Sequence, residues 1–276
     1  MTETSFFLCG DRGPMTSTPL TWVEQDTSLG VAEDLTYSTT LLRAVQHGDF
    51  TGPLVRLYRP EPTVSFGQQD TRMPGYGAAQ EQSRAHGFTP IVRKVGGRAA
   101  AYHHGSLIID HIQPEADAMV RFRKRFEYFG ELFTTMLQGL GVAAAIGEIP
   151  DEYCAGEYSV HAVLSPEHRI KLAGTAQRVV KGAWLFSTSL VVENARPVRD
   201  VLTDVYQALQ LPLDPTTVGA VDDAAPGVSV ADVIDELQLA YEQQLRNETS
   251  RGDVPTGLVE MSWADLLQQV PPTVGR

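Results

Sequence analysis

The stretch Ile91-Val92-Arg93-Lys94-Val95-Gly96-Gly97-Arg98-Ala99-Ala100-Ala101-Tyr102-His103-His104-Gly105-Ser106-Leu107 has the form of a strand entering a glycine-rich bend. Tiny residues, an aromatic and a second bend follow. Glycine has no Cβ and tolerates positive φ, so backbone N–H groups at Gly96-Gly97 can approach a bound group closely. Arg93, Lys94 and Arg98 add positive charge beside the bend, which suits a carboxylate, a thioester or a phosphate. An ordinary surface turn can carry the same residues, so the stretch takes its meaning from the chain around it. It lacks the Gly-x-Gly-x-x-Gly spacing of a dinucleotide fold, and the chain has no phosphate-binding Gly-x4-Gly-Lys-Ser/Thr run.

Working outward, residues 1–20 are rich in Thr, Ser, Gly and Pro and predict an irregular lead-in. Ala32, Leu35, Leu42 and Val45 predict a helix over residues 26–46, capped by Asp26 or Ser28. Short strands follow at 54–58 and 62–67, separated by Pro60 and Pro62, then a short helix at 76–86. Met119, Phe122, Phe126, Phe129, Phe133, Met136 and Leu140 step by three and four residues, which predicts a helix over 116–140 with one apolar face in the core. Residues 158–164 and 169–180 form a hairpin turning at 165–168, and a strand at 184–192 continues it. Val198, Val201, Leu202 and Val205 mark another helix, 219–227 an acidic linker, and Val230, Val233, Ile234, Leu237 and Tyr241 a terminal helix. Residues 21–218 are expected to form the main unit, and 219–276 a linker with a helical segment packed on it. Strands and helices do not alternate as in a doubly wound fold. An α/β or α+β domain is expected, with a mixed, largely antiparallel sheet packed with helices.

The chain has 276 residues, 42% hydrophobic and 20% charged, as in an ordinary globular protein. A formal net charge of −12 argues against nucleic acid as a partner. No apolar run is long enough to span a membrane, and the run ending at Cys9 is too short for a signal segment, so a cytoplasmic location is expected. The two cysteines, Cys9 and Cys154, make no disulfide framework, and the seven histidines show no metal-ligand spacing with them. Arg121, Arg123, Lys124 and Arg125 cluster on the aromatic helix. They form either a solvated face or a docking patch for an acidic partner domain.

Most free cysteines are small buried hydrophobes. Cys154 instead sits among Pro150, Asp151, Glu152, Gly156 and Glu157, in what looks like an exposed loop. As a nucleophile it would need a cation close by to offset these carboxylates. Lys171 is the natural supplier. Strand alternation places it on one face with Ala173, Thr175 and Gln177, and simple hairpin pairing sets it opposite Ala162. The loop must then fold back at Gly156 for the two side chains to meet. His103 or His104 could serve as a base; a serine nucleophile has no Gly-x-Ser-x-Gly context.

Three segments carry a resemblance: Gln69-Asp70-Thr71-Arg72-Met73-Pro74, Tyr153-Cys154-Ala155-Gly156-Glu157-Tyr158, and Lys171-Leu172-Ala173-Gly174-Thr175-Ala176-Gln177-Arg178. In this order they resemble the biotin/lipoate protein ligase and octanoyltransferase superfamily, above all its cysteine-dependent lipoyl-domain amidotransferases. The resemblance implies the fold shared with biotin ligases and class II tRNA-synthetase cores. It implies that Cys154 takes an octanoyl group as a thioester, with Lys171 at the acyl carbonyl. Arg93, Gly96, Gly97, Arg98, Tyr102, His103, Gly174 and Ala176 would line the substrate site, and Val64 and Phe66 would help wall the acyl tail. The donor would be an octanoylated glycine-cleavage carrier or acyl carrier protein, and the acceptors lipoyl domains of 2-oxo-acid dehydrogenases, with no cofactor. Alternatives are an ATP-dependent lipoate or biotin ligase, in which the cysteine is incidental, and a non-catalytic binder of acylated carriers. Arg98 stands where the ligases carry a third glycine.

Overall fold

The computed structural model describes residues 18–93, 96–250 and 257–272. Most of the expected lead-in, with Cys9, and also Lys94 lie outside them. The chain runs β1 (Leu20–Glu24), α1 (Val31–His47), β2 (Leu54–Tyr58), β3 (Thr63–Phe66), α2 (Tyr76–Ala85), β4 (Thr89–Val92), β5 (Ala100–Tyr102) and β6 (Ser106–Pro114). Next come α3 (Phe122–Gly139), β7 (Ala144–Ile146), β8 (Val160–Ser165), β9 (His168–Val180) and β10 (Ala183–Val191). Last are α4 (Arg196–Leu209), α5 (Val221–Ala224), α6 (Val230–Ser250), β11 (Leu258–Glu260) and α7 (Trp263–Gln269).

Eight strands form one sheet in the order β11-β1-β2-β6-β10-β9-β8-β7. The pairs β1·β11 and β1·β2 are parallel and the others antiparallel, as expected of a mixed, largely antiparallel sheet. A second sheet, β4-β3-β5, carries the glycine-rich bend between β4 and β5.

Successive strand side chains point to opposite faces, and here the alternation assigns each face a separate core. Val55, Leu57, Leu107, Ile109, Trp184 and Phe186 pack with Phe129, Phe133 and Met136 of α3 and Val233, Leu237 and Tyr241 of α6. Leu54, Ile112 and Leu185 point the other way, against Tyr37, Leu41 and Val45 of α1 and Trp263 and Leu266 of α7. A third cluster joins Val64 and Phe66 of the small sheet to Val198, Val201, Leu202, Val205 and Tyr206 of α4. Each buried large aliphatic or aromatic side chain contributes roughly 1.5–3 kcal/mol relative to an exposed one.

Several sequence expectations shift. The aromatic helix starts at Phe122, not at 116; Met119 is 72% exposed and outside the core stripe. Arg125 does not belong to a basic surface patch: it is fully buried, paired with Glu115 at 3.0 Å and stacked near Trp184. Gly30, with φ 110°, occupies the start of α1, while Ser28 and Asp34 bond to each other instead of Asp26 or Ser28 capping the helix. The expected linker contains α5, with Ala220 and Val221 fully buried. Among the described residues no helix is long and apolar enough to cross a membrane.

On the α3 face, His111 is fully buried, stacked on Trp184 and Tyr241, with its ring nitrogens near Tyr241 Oη (3.1 Å) and Gln113 Oε1 (3.3 Å). Burial pushes its pKa down to about 3. The unfolded chain, with an ordinary histidine near 6.5, binds a proton that the folded chain refuses. Stability from this group is complete above about pH 6.5 and is lost on acidification toward pH 3. In urea unfolding between pH 7 and pH 5, wild type should lose about 2 kcal/mol more than His111→Gln. Equal losses would show that His111 does not titrate with folding.

Candidate active site

Cys154 lies in the connection between β7 and β8, and its backbone is left-handed, with φ 44°. A non-glycine residue held there costs roughly 1–3 kcal/mol and persists only where its surroundings impose it. Two buried side chains do so. The Cys154 N–H donates to Tyr206 Oη at 2.6 Å, and the Cys154 carbonyl accepts from Lys171 Nζ at 2.9 Å. Lys171 Nζ also donates to the Tyr153 carbonyl at 2.8 Å and lies 3.5 Å from Glu152 Oε2. The other Glu152 oxygen accepts from the Gly156 N–H (3.1 Å) and Ser159 Oγ (2.7 Å). The loop thus folds back around a buried Glu152–Lys171 pair. Burial pulls the Lys171 pKa below the usual lysine value, and the Glu152 carboxylate pulls it part of the way back.

Lys171 reaches this position through a break in the strand pairing. Val160 pairs with Ala173 but His161 pairs with Lys171, so Leu172 is an extra residue in β9. A bulge of this kind reverses which face the following side chains take. Lys171 therefore shares the cavity face with Gly174 and Ala176, which pair with Ser189 and Ser187. The expected grouping with Ala173, Thr175 and Gln177 holds only in part: Thr175 and Gln177 also line the cavity, where Gln177 bonds Arg125, but Ala173 joins the α3 core. The residue opposite Lys171 is His161, not Ala162.

The sulfur faces the glycine-rich bend. Cys154 Sγ is 3.3 Å from the Arg98 N–H and 3.6 Å from Arg93 Nη2. Gly97, at φ 99°, makes this approach possible: a Cβ there would stand 2.7 Å from Sγ and 2.6 Å from the Arg93 guanidinium. Arg93 is braced by the carbonyls of Ser65, Gly96 and Arg98. The cation facing the sulfur is therefore Arg93, whereas Lys171 grips the backbone behind it. The Arg98 side chain turns away, to Asp70 Oδ1 at 3.2 Å and Met73, and does not line the cavity. Asp70, fully buried, also accepts from the Gly67 N–H at 2.8 Å, which gives the Gln69–Pro74 motif a physical role: it anchors Arg98.

Beside the sulfur a cavity of about 420 Å³ opens between the two sheets, within the roughly 300–1,000 Å³ common for ligand sites. Tyr58, Tyr102, Ile108 and Leu35 form an apolar cluster on its wall. Burial raises the Tyr58 and Tyr102 phenols, which stay neutral. Phe122, Phe126 and Tyr158 line another part, with Phe126 stacked on Tyr158 at 5.0 Å. Below this wall Asp110 accepts from Ser38 (2.6 Å) and Ser187 (2.7 Å) and pairs with Arg56 at 3.2 Å.

Of the expected site residues, Cys154, Lys171, Arg93, Gly96, Gly97, Tyr102, Gly174 and Ala176 line this cavity. Val64 and Phe66 do not; they point from β3 into the α4 core, and Ser65 between them faces the cavity. His103 also stands outside it. Its Nδ1 accepts from the Gly105 N–H at 2.7 Å and its Nε2 lies 3.0 Å from the Asn194 carbonyl, so it shapes the second bend. His104 pairs with Glu61. Sequence reasoning missed Tyr206, a member of an apolar helix stripe, and the structural use of Glu152, whose only signal was its place beside Cys154.

The fold is that of lipoate-protein ligases. A lipoate-protein ligase A structure bound with ATP superposes with a TM-score of 0.66 over 90% of this chain and 89% of that one, at 20% identity. A bi-partite lipoate protein ligase from Thermoplasma acidophilum superposes with a TM-score of 0.63 over 88% and 86%, also at 20% identity. Residues 31–242 match the sequence model described as the lipoyl protein ligase A/B catalytic domain, and the chain belongs to that family. An octanoyl-[GcvH]:protein N-octanoyltransferase of Geobacillus kaustophilus is 32% identical over 146 residues, 53% of this chain and 50% of that protein. A lipoyl-[GcvH]:protein N-lipoyltransferase of Listeria monocytogenes is 27% identical over 55% and 53%. The matched part thus spans about half the length of these curated relatives.

Two outcomes follow from the geometry. Gly97→Val should keep the fold but slow alkylation of Cys154 by iodoacetamide by on the order of tenfold or more, because the side chain claims the space of the sulfur and Arg93. Wild-type labelling would place the bend elsewhere. Lys171→Met should cost about 3–5 kcal/mol in urea unfolding by leaving Glu152 buried without its cation. Adding Glu152→Gln should recover much of that stability without restoring Cys154 labelling.

Proposed function

We propose that this protein is a cysteine-dependent acyltransferase that moves an octanoyl group from a carrier protein to the lysine of a lipoyl domain. The observation that carries this reading is the Cys154 sulfur, set at the wall of a largely apolar cavity and faced by the Arg98 N–H and the Arg93 guanidinium. The family match and the names of the related transferases support it.

In the first half-reaction the Cys154 thiolate adds to the carbonyl of the octanoyl-lysine amide. The tetrahedral intermediate collapses with cleavage of the C–N bond. The lysine amine leaves with the proton that the thiol gave up, and a thioester remains on Cys154. In the second half, the neutral amine of the acceptor lysine attacks the thioester, the C–S bond breaks as the amide forms, and the proton lost by the nitrogen returns to the departing Cys154 sulfur. Splitting the transfer this way lets one cavity serve two protein substrates in turn.

Cys154's own N–H is committed to Tyr206, so the donors nearest a developing oxyanion are the Arg98 N–H and Arg93. The neutral Tyr58–Tyr102–Ile108 wall takes the alkyl chain. The glycine-cleavage carrier is the preferred donor, in keeping with the related transferases' names, and 2-oxo-acid dehydrogenase lipoyl domains are the acceptors. The work falls to residues 21–218, in the cytoplasm.

Incubation with octanoylated carrier, with and without ATP, followed by intact mass measurement tests the reading. The expected result is one octanoyl group added without ATP, removable by hydroxylamine, and absent in Cys154→Ala. An ATP requirement would favour the ligase reading, and wild-type turnover by Cys154→Ala would end the covalent mechanism.

A further inference from the structure

Tyr206 belongs to α4, 52 residues beyond Cys154, and its hydroxyl joins two loops. Its oxygen accepts the Cys154 N–H at 2.6 Å, and its O–H donates to the Ala99 carbonyl at 2.9 Å. Ala99 directly follows Arg98, whose N–H meets the sulfur at 3.3 Å. One buried oxygen therefore bridges the backbone of Cys154 and the end of the glycine-rich bend. Both loops are bound to a helix that the α4 core holds in place through Val198, Val201, Leu202 and Val205.

Left-handed backbone at a cysteine relaxes unless its polar groups are held. Here the carbonyl is held by Lys171 and the N–H by Tyr206. Burial keeps the phenol far above its usual pKa, so it remains an O–H that can donate and accept at once. Phenylalanine would fill the same space, yet would strand the Cys154 N–H and the Ala99 carbonyl and leave one side of the backbone free to turn.

We propose that Tyr206 is a positioning residue for acyl transfer, its hydroxyl locking the Cys154 backbone to Ala99 so that the sulfur stays against the Arg98 N–H and Arg93. This rests on the covalent reading above, but the clamp is measurable without it. Tyr206 never touches the acyl group: it does not line the cavity.

The test compares Tyr206→Phe with wild type. Transfer from octanoylated carrier should fall in kcat by on the order of 10- to 100-fold while KM for the carrier is unchanged, since a misplacement near 1 Å has that effect. Iodoacetamide alkylation of Cys154 should slow as well. Wild-type alkylation and kcat, or a rise in KM alone, would overturn the proposal. Should the variant fail to fold, hydrogen exchange in wild type decides: the Cys154 amide should exchange far more slowly than in an unstructured peptide, and exchange at the unstructured rate would overturn the clamp. If wild type forms no acyl-enzyme, the covalent reading fails, while the alkylation and exchange results still settle the role of Tyr206.

Discussion

The ammonium group of Lys171 is fixed by two carbonyls of the cysteine loop and the carboxylate of Glu152, with 1% of its side chain exposed. Removing it would leave an uncompensated charge in the interior, which is far more costly than losing a surface pair. The loop's shape follows from this point: Glu152 gathers Gly156 and Ser159, and the Tyr153 and Cys154 carbonyls converge on one nitrogen. The Leu172 bulge is what aims the lysine there. A single extra residue in β9 thus connects the sheet register to the placement of the sulfur.

The second sheet supplies the other half of the site. Its bend can approach the sulfur only because Gly97 has no side chain, and it is held from behind by Asp70, Arg93 and Tyr206. Three separate segments therefore converge on a point between two sheets. Two cores anchor them: the cysteine loop is tied through Lys171 to β9 of the large sheet, while the bend, through β3, and Tyr206, through α4, share the core of the small sheet.

Much of this arrangement was legible in the sequence because it rests on local pattern. The three-and-four spacing from Phe126 to Met136 fixed a helix and its buried face, and Ser165–His168 marked the hairpin turn. Gly96-Gly97, Cys154 and Lys171 stood out by residue type and motif. What failed depended on tertiary context. The alternation rule put Lys171 with Ala173 because no sequence signal announces a bulge at a leucine. Arg125 looked like part of a basic patch, since its partner Glu115 and its stacking on Trp184 are set by packing. Val64 and Phe66 were assigned to the cavity wall, but a strand with both faces buried does not show which face meets which layer. Tyr206 was hidden for the same reason: in a helix stripe, a tyrosine that packs and a tyrosine that also bonds look alike.

The commitment of Lys171 has one more consequence. If Cys154 carries a thioester, as proposed above, a primary amine beside it is a chemical hazard, because an amide formed there would be far harder to break than the thioester it came from. Lys171 Nζ donates to the Tyr153 and Cys154 carbonyls and lies 3.5 Å from the Glu152 carboxylate. Engaged by these oxygens, the nitrogen is tied to the backbone behind the sulfur. On the covalent reading proposed above, the same contacts that shape the loop would protect the protein from self-modification and reserve the acyl group for an amine arriving from outside.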